Sequence, residues 1–492
     1  MYKRQCIYIG FEFYYTNGNL AFPLDDSWIH LTFAKNFSDG FIFQYNPGEF
    51  TTGSTSPLWV IILGILFKIF PYHIFLSIFL SFVFFLLSVI YTYKISLLIF
   101  KNLKFENYEF LSVMSGILLI LNGRFNWASL SGMETTMFAF FCLISVYSYL
   151  NKPDEKIKIS IFLALASLSR PEGYLLSLII LCYDIIKNKK FNSQLFIGII
   201  IYLILVLPYP IFSKIYGGSF TPNTFEGQGG FLRVIPDFNY LRIIGIYFFR
   251  DNLITGLLWI LSFIFFVFNF KNFRSQLNIY IVIFLWLFLL PIFSSILIPN
   301  WRHHSRYTIP LTPFLTIVAV YTFNFIYINF LKDKKFRFNK IKYFFYIILF
   351  LNIPYYFVYA FNIGLNTSNI NDQQVKIAKW VSENIDSNTG LAVNDIGAIG
   401  YYTDNKLIDM AGLITPELFD YRKLEMQEGL DSLESLYKRN NVGYVIIYDH
   451  WFPDFLEKRK DNLEYIKSEK LKINTICGGE EMKIYKYNYQ SK

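Results

Sequence analysis

The chain has 492 residues, of which 54% are hydrophobic and 16% are charged, and its net charge is +9. Soluble globular domains carry about 25% charged residues, so this composition excludes a cytosolic enzyme, a disordered chain and a collagen-like fibre. Residues 1–364 carry 29 Lys and Arg against 16 Asp and Glu, whereas residues 365–492 carry 16 against 20. Because the basic excess belongs to the apolar part, it indicates membrane topology, and we expect no nucleic-acid partner.

Ten apolar segments are predicted as membrane-spanning helices, each of which needs about 20 apolar residues. They lie near residues 73–93, 110–122, 134–150, 157–169, 171–186, 193–213, 252–270, 277–298, 307–331 and 341–361. Lysine and arginine fall in every second connection, which predicts that those connections are cytoplasmic and the others outside. The outside segments then include 1–56, 214–251, 299–306 and 365–492.

The N-terminal part departs from this pattern. Residues 1–56 are predicted as an outer loop, because Met1 to Phe22 contain no spanning segment. A residue 1 on the outside would normally follow a membrane helix, so we expect that a first helix is missing from this sequence. The run 57–70 is about 21 Å long as a helix, which is too short to span. We predict that it is a juxtamembrane helix at the start of a transmembrane module over 57–364.

The character of the chain changes after residue 364. Helix-like stretches alternate with short β-like runs such as Leu391–Val393 and Tyr444–Tyr448. A length of about 128 residues suits one ordinary domain. We therefore predict a C-terminal mixed α/β soluble domain over 365–492, on the outer side of the membrane.

Two adjacent carboxylates, Asp25 and Asp26, stand in the sequence LDDSWIH of the first outer loop. Such groups can serve as a general base, as ligands of a divalent cation, or as both. Neighbouring residues on a helix point about 100° apart, so the two side chains face different directions. The alternative is that one of them only caps the helix that follows, and the residues alone leave both interpretations open.

A charged turn, SRPEG over 169–173, joins two predicted helices that are both short, which places the turn at membrane depth. Charge at that depth is tolerated where it lines a protein cavity. Arg170 is therefore a candidate ligand for a lipid-borne phosphate, because a guanidinium stays charged and binds two oxygens at once. The alternative is an internal pair of Arg170 with Glu172 that anchors the turn.

Three further outer segments carry polar residues with candidate roles in binding. The cluster NWRHHSRY over 300–307 contains Arg302, His303 and Arg306, which suit phosphate or sugar, whereas interfacial anchoring is its usual alternative role. Glu134 begins a helix, where it either binds sugar hydroxyls or caps. The glycine-containing loop YGGSFTPNT presents Tyr216 and Asn223, and loops of this kind either close over a substrate or only connect helices.

Taken together, these segments resemble the GT-C superfamily of polytopic glycosyltransferases, especially the mycobacterial cell-wall arabinofuranosyltransferases and their bacterial relatives. The residues that carry the resemblance are DDSWIHLTFAKNFSDGFIFQYNPGE, TTGSTSPLW, SGMET, SRPEG, YGGSFTPNTF, RYTIPLTP and DIGAIGYYTDNKLIDMAGLITPE. The resemblance implies a catalytic aspartate in the first outer loop and a sugar donor on polyprenyl phosphate. It makes Asp25 and Asp26 the catalytic candidates and gives Arg170 the place of a basic ligand for the donor phosphate.

The resemblance and the residues predict an inverting glycosyltransferase of the bacterial cytoplasmic membrane, with its site and C-terminal domain on the periplasmic or extracellular side. Asp25 or Asp26 would act as general base on the hydroxyl of a glycan or lipid acceptor. The expected substrate-binding residues are Arg170, Glu172, Glu134, Arg302, His303, Arg306, Tyr216 and Asn223, and a divalent cation is a candidate cofactor at Asp25 and Asp26. The alternative is a transporter or flippase of lipid-linked sugars, although the sequence shows no inverted repeat of the kind typical of transporters.

Overall fold

The computed structural model describes residues 2–71, 74–189, 192–227, 229–251, 253–268, 277–328 and 340–489. Eighteen α-helices precede the first strand in these residues. They are α1 Tyr2–Tyr15, α2 Asp25–Ser38, α3 Pro57–Ile69, α4 Ile74–Asn102, α5 Tyr108–Ile120, α6 Gly123–Leu130, α7 Thr135–Asn151, α8 Lys156–Ser169, α9 Gly173–Asn188, α10 Ser193–Val206, α11 Pro208–Gly217, α12 Asn223–Gly227, α13 Phe238–Asp251, α14 Leu253–Phe268, α15 Leu277–Leu297, α16 Thr312–Ile326, α17 Lys340–Ile370 and α18 Lys376–Asn384. Helical turns over Arg302–Ser305 and Arg306–Leu311 lead into α16.

Each of the ten predicted membrane segments overlaps a helix, which confirms the helical membrane architecture. Within the described residues, four helical stretches are long and apolar enough to cross a membrane: Ile74–Asn102, Ser193–Gly217, Arg302–Ile326 and Phe345–Asn384. A fifth results if α6 and α7, bent by 116°, form one broken span. By this criterion of length and hydropathy, fewer than the ten predicted helices qualify as membrane-spanning, because several of the other helices have only 13–17 residues. The inner connections around 269–276 and 329–339 lie outside the described residues.

The N-terminal residues are helical, which corrects the interpretation of 1–56 as one loop. Helix α1 packs along α17, where the rings of Tyr8 and Tyr356 meet edge to face at 4.8 Å. The hydroxyl of Tyr8 donates a hydrogen bond to the carbonyl oxygen of Tyr356 at 3.0 Å. The short helix predicted over 57–70 forms as α3 and packs closely on α2, since a Cβ at Gly64 would meet the ring of Phe37.

The C-terminal residues form the predicted mixed α/β domain. Its five strands are β1 Gly390–Val393, β2 Leu407–Asp409, β3 Val442–Ile447, β4 Leu463–Lys470 and β5 Glu481–Tyr487, in the order β2-β1-β3-β5-β4. Strand β1 is parallel to β2 and β3, whereas β5 runs antiparallel to β3 and β4. Its helices are α19 Gly397–Tyr402, α20 Glu417–Tyr421, α21 Met426–Arg439 and α22 Pro453–Lys458.

A continuous helical connection holds this domain on the membrane helices. A π-helical turn, Asn371–Val375, joins α17 to α18. Gln373 is fully buried in that turn, and its amide donates to the carbonyl oxygen of Glu480 at 3.1 Å while its own oxygen accepts from the hydroxyl of Tyr448 at 2.7 Å. The turn between α17 and α18 is therefore bound to residues next to β3 and β5 of the C-terminal domain.

Candidate active site

A cavity of about 1320 Å³ lies between the membrane helices and the C-terminal domain. Its walls come from the start of α2, the end of α13, the connection 299–306 and loops of the C-terminal domain. The charged side chains on these walls are Asp25, Asp26, Asp395, Arg233, Arg250, Arg302 and Arg306, with His303, His304 and His450 beside them. The fold therefore brings the predicted acidic pair and the predicted basic cluster 300–307 into one cavity. Large concave sites with a few convergent polar groups are the usual place for ligands.

Asp25 connects the two parts of the chain. Its two carboxylate oxygens accept hydrogen bonds from the backbone N–H groups of Gly397 at 2.7 Å and Ala398 at 2.8 Å, at the start of α19. A Cβ at Gly397 would lie 2.2 Å from the carbonyl oxygen of Asp25, so this close approach requires glycine. Burial, and next the nearby Asp395 carboxylate, raise the pKa of Asp25 against the lowering effect of these N–H donors. Both oxygens of Asp25 are thus engaged in holding the C-terminal domain.

Asp26 faces the cavity. Its side chain is 30% exposed, and its Oδ2 lies 2.8 Å from a guanidinium nitrogen of Arg306 and 3.8 Å from Nδ1 of His303. Burial alone would raise the pKa of Asp26, but the charges of Arg306 and His303 outweigh it and hold the pKa below its ordinary value. The residue before the helix is Leu24, and neither aspartate caps α2 through its side chain. The capping interpretation is therefore wrong, and Asp26 is an ionised carboxylate open to a ligand.

An unusual backbone turn aims the basic groups at Asp26. His303, His304 and Ser305 all have positive φ, at 54°, 56° and 51°, and a left-handed conformation costs roughly 1–2 kcal/mol for each residue that is not glycine. Arg124 stabilises this turn, because one guanidinium nitrogen donates to the carbonyl oxygen of His304 at 3.2 Å and to Oγ1 of Thr308 at 3.0 Å. The turn is thus held from behind by a side chain that does not itself line the cavity.

Arg124 is itself held in place by a second buried charged side chain, that of Asp251. Arg124 is fully buried, and its Nε lies 2.7 Å from Oδ2 of Asp251. The hydroxyl of Tyr359 donates to Oδ1 of the same aspartate at 2.9 Å. Since a buried guanidinium needs a partner for its charge, the ion pair with Asp251 and the hydrogen bonds to the turn together fix the orientation of Arg124.

Two arginines on the cavity wall differ from these paired ones. Arg250, at the end of α13, and Arg302 are both exposed. Among the residues that the structure describes, neither guanidinium has an ion-pair partner. Arg233 also lines the wall, where it donates to the carbonyl oxygen of Leu297 and lies over the ring of Phe231. Exposed arginines with free N–H groups suit an anion such as a phosphate.

Arg170 is absent from the residues that line this cavity. Its guanidinium is 3% exposed, pairs with Glu172 at 2.8 Å, and donates to Glu134. His30 lies 3.2 Å from Glu134 on the other side, and the ring of Tyr307 stacks 4.7 Å from the guanidinium carbon. The internal pair that was the alternative for this turn is what forms. Arg170, Glu172 and Glu134 therefore make an internal charged network behind α2 that does not line the cavity, and their binding of a substrate stays a prediction.

Tyr216 and Asn223 are also absent from the cavity walls. Tyr216 packs its ring on Phe50 with a centroid separation of 4.6 Å. The backbone N–H of Asn223 donates to Oγ1 of Thr52, and its side-chain amide donates to the carbonyl oxygen of Leu413. This loop contacts both the first outer segment and the C-terminal domain, and substrate binding by these two residues stays a prediction.

The side chains do not fit the divalent cation that the acidic pair suggested. Asp25 is bound by backbone N–H groups and Asp26 by a guanidinium, so the two carboxylates do not converge. Over the described ranges of the chain, no group of three or more His, Cys, Asp and Glu side chains has the arrangement of a metal site. Hard cations such as Mg²⁺ require several oxygen ligands, and we derive no step through a metal.

Sequence reasoning missed part of this site. Asp395 lies on the wall and accepts a hydrogen bond from the amide of Gln374 at 3.2 Å, although its segment DIGAIG entered the sequence analysis only through the family resemblance. Burial raises the pKa of Asp395. Arg250 was missed, although the rule that selected Arg302 applies to it as well. Both are basic residues in segments that are predicted to lie outside. His450 and Trp451 lie in a turn of the C-terminal domain that no pattern marks.

Comparison with known proteins identifies the fold. A family model described as a domain of unknown function (DUF8728) matches residues 368–485, and no curated protein matches the chain in sequence. The structure of ArnT from Cupriavidus metallidurans in the apo state is similar, with a TM-score of 0.61, 13% identity, and coverage of 99% of this chain and 97% of that one. The form of ArnT bound to undecaprenyl phosphate gives a TM-score of 0.60 at the same identity and coverage.

A second group of similar structures is archaeal. The oligosaccharyltransferase of Archaeoglobus fulgidus, in complex with Zn and sulfate, gives a TM-score of 0.59 at 13% identity, and the match covers 92% of this chain and 69% of that one. AglB of the same organism, in complex with an inhibitory peptide and a dolichol-phosphate, gives a TM-score of 0.55 at 12% identity over 91% and 69%. These proteins are GT-C glycosyltransferases, so the predicted GT-C fold is confirmed over nearly the whole chain.

We expect that Asp25→Ala loosens the C-terminal domain, because two backbone N–H groups lose their side-chain acceptor. Leaving a buried donor without its acceptor costs roughly 1–3 kcal/mol, so the amides of Gly397 and Ala398 should exchange with solvent much faster in hydrogen-exchange mass spectrometry. Asp404→Ala is the matched control, since its 86% exposed carboxylate also faces the other part of the chain, at 3.7 Å from Lys35, but surface pairs contribute little. Unchanged exchange in Asp25→Ala would contradict the role given to this residue.

We also expect that Arg124→Lys relaxes the turn over 303–305. Lysine keeps a positive charge for Asp251 but lacks the planar set of N–H groups that holds the turn. Hydrogen exchange should therefore rise at residues 303–306 while α16 stays protected. Arg124→Met serves for comparison, because it leaves Asp251 buried without a cation and should lower the melting temperature further. The interpretation fails if exchange over 303–306 is the same in Arg124→Lys and in the wild type.

Proposed function

We propose that this chain is a membrane glycosyltransferase that moves a sugar from a polyprenyl-phosphate donor to a hydroxyl group of an envelope glycan or lipid, on the outer face of the cytoplasmic membrane. One observation carries this proposal: the cavity beside the membrane helices contains an accessible carboxylate, Asp26, together with the exposed guanidinium groups of Arg250 and Arg302. A transferase of this kind needs both groups, since one receives a proton and the others hold the phosphate that leaves. The likeness in fold to ArnT, which has been solved with undecaprenyl phosphate, supports the same substrate class.

Asp26 is the better candidate for the general base, because a base must first be within reach of the proton that it takes and only then have a suitable pKa. The raised pKa of Asp25 would suit a base, but both of its oxygens already accept backbone N–H groups. Asp26 has one oxygen paired with Arg306 and an exposed face on the cavity. We therefore assign to Asp25 the positioning of the C-terminal domain and to Asp26 the role of general base.

In the proposed reaction, the acceptor hydroxyl attacks the anomeric carbon of the donor sugar from the side opposite the phosphate. The new bond joins the acceptor oxygen to that carbon, the bond from the carbon to the phosphate oxygen breaks, and Asp26 takes the hydroxyl proton. The configuration at the anomeric carbon is inverted by this single displacement. Polyprenyl phosphate leaves with both electrons of the broken bond, so no general acid is needed.

In the proposed mechanism, binding of the donor phosphate also changes the pKa of Asp26, because Asp26 is paired with Arg306. Arg306 lowers the pKa of Asp26 in the chain without substrate, which makes Asp26 a weak base. A phosphate bound near Arg302 also attracts Arg306, and this competition weakens the hold of Arg306 on Asp26. The pKa of the base then moves back towards its ordinary value when the donor is present, which suits proton transfer.

Asp26→Asn should abolish sugar transfer while the protein still binds donor. The amide keeps the shape and accepts a hydrogen bond, but it cannot take a proton, and general-base catalysis is typically worth about 10²–10⁴-fold in rate. The assay uses purified protein in lipid nanodiscs with a panel of polyprenyl-phosphate sugars carrying a radioactive sugar. Asp39→Asn is the matched control, because Asp39 is an exposed aspartate at the other end of α2, away from the cavity. Full transfer by Asp26→Asn would overturn the proposal, and transmembrane movement of donor without transfer would favour a flippase.

Arg302→Gln and Arg250→Gln should each weaken donor binding. A charge-assisted hydrogen bond contributes roughly 1.5–3 kcal/mol, which corresponds to about tenfold or more in dissociation constant. Polyprenyl phosphate without a sugar is the binding probe, and the wild-type affinity should fall with added salt more steeply than that of the variants. Arg242→Gln is the control, since Arg242 is an exposed arginine on the same helix as Arg250 and is absent from the cavity walls. Equal affinities in all four proteins would place the phosphate elsewhere.

A further inference from the structure

The C-terminal domain carries a second pocket, which we call the distal pocket, with a volume of about 430 Å³. It lies between the turn Asp449–Trp451 and the facing ends of β4 and β5, and its walls include Lys470, Lys483 and Glu481. Two of its lining residues, His450 and Asn474, also line the large cavity that contains Asp26. The two spaces are therefore neighbours that share part of their walls.

The walls of the distal pocket combine hydrogen-bond donors and acceptors in almost equal number. Lys483 lies 2.6 Å from Oδ2 of Asp449, and Glu481 accepts a hydrogen bond from the hydroxyl of Ser468 at 2.7 Å. The lining has two lysines against three carboxylates, so it does not favour a strongly anionic ligand. Sugar hydroxyls both donate and accept hydrogen bonds, and a neutral saccharide therefore suits these walls better than a polyanion or a lipid tail.

An aromatic side chain of the large cavity lies beside His450, which lines both spaces, with ring centroids 6.2 Å apart. Trp451 is 38% exposed and lines the large cavity. Two glycines leave room beside this turn, because a Cβ at Gly478 would lie 2.6 Å from the ring of Trp451, and one at Gly479 would lie 2.7 Å from the ring of His450. Tryptophan offers a large apolar face with a polar edge, and the C–H face of a sugar ring can stack on it while the hydroxyls reach the polar walls.

We propose that the distal pocket and Trp451 form an acceptor subsite, which binds neutral saccharide units of a glycan whose reacting hydroxyl lies at Asp26. This inference rests on the proposed transferase function, since it supplies the acceptor class for the same cavity. The subsite fixes the acceptor at a distance from the reacting atoms. Its contribution is therefore to affinity for long acceptors and to the choice of acceptor, while Asp26 carries the proton transfer.

Binding of saccharides to the full chain in lipid nanodiscs tests this subsite without any transfer reaction. The probes are the neutral hexasaccharides of β-1,4-linked glucose, α-1,4-linked glucose and β-1,4-linked N-acetylglucosamine, with hexagalacturonate as the anionic probe, each titrated and followed by saturation-transfer NMR. At least one neutral probe should bind, and its dissociation constant should rise about tenfold in Trp451→Ala, because aromatic stacking is worth up to about that factor. Trp451→Phe should retain most of the affinity, since it keeps an aromatic face.

Two further variants separate the possible failures. Tyr465→Ala is the matched control, because Tyr465 is a 57% exposed aromatic residue on β4 that does not line either space, and it should bind as the wild type does. Arg242→Gln, at an exposed arginine that lines neither space, should also bind as the wild type does. Because no transfer takes place in this measurement, saccharide binding remains measurable even if the proposed transfer reaction is wrong. The acceptor subsite is refuted if no neutral hexasaccharide binds, if only hexagalacturonate binds, or if Trp451→Ala binds with unchanged affinity.

Discussion

Arg124 has no exposed surface, and its guanidinium is held by Asp251 on one side and by the turn around His304 on the other. A charge buried without a partner costs several kcal/mol, and in a membrane protein there is little water nearby to reduce this cost. Each basic group that is pulled into the interior must therefore bring a carboxylate with it. The same rule accounts for Lys156, which lies 2.6 Å from Asp184 with both side chains almost fully buried.

Because a buried arginine needs a carboxylate partner, the arginines near the site form two groups. One group is paired inside the protein, and the other is exposed to the cavity. Arg170 and Arg124 have their charge balanced inside the protein, so they can shape the backbone and the helices but have little left to offer a substrate. Arg250 and Arg302 are exposed to the cavity and do not have such a partner among the described residues. Their charge is available to an incoming anion, and the proposed donor supplies one. Arg306 stands between the two groups, because its partner Asp26 is itself a candidate for the chemistry.

The sequence predicted the membrane helices, the C-terminal α/β domain and the position of the acidic pair, since apolar runs, β-like runs and adjacent carboxylates are local features. It did not predict which charged side chains that are distant in sequence lie next to each other in the folded chain. The turn with Arg170 was placed correctly at the junction of α8 and α9, but Glu134 lies 36 residues away, and only the folded chain shows that it neutralises Arg170. Asp395 was missed for the same reason, because its neighbour Asp25 is far away in sequence. The helix α1 was missed because it is only 14 residues long and packs its buried side on α17.

The adjacent aspartates illustrate what local geometry adds to such a site. Successive residues of a helix point about 100° apart, so the first turn of α2 directs Asp25 towards α19 and Asp26 towards Arg306. One carboxylate therefore holds the C-terminal domain in place while the next one faces the cavity that this domain closes. The proposed base and the residue that binds the start of α19 are therefore neighbours in one helical turn, and a single peptide bond separates the group assigned to the chemistry from the group that holds the domain.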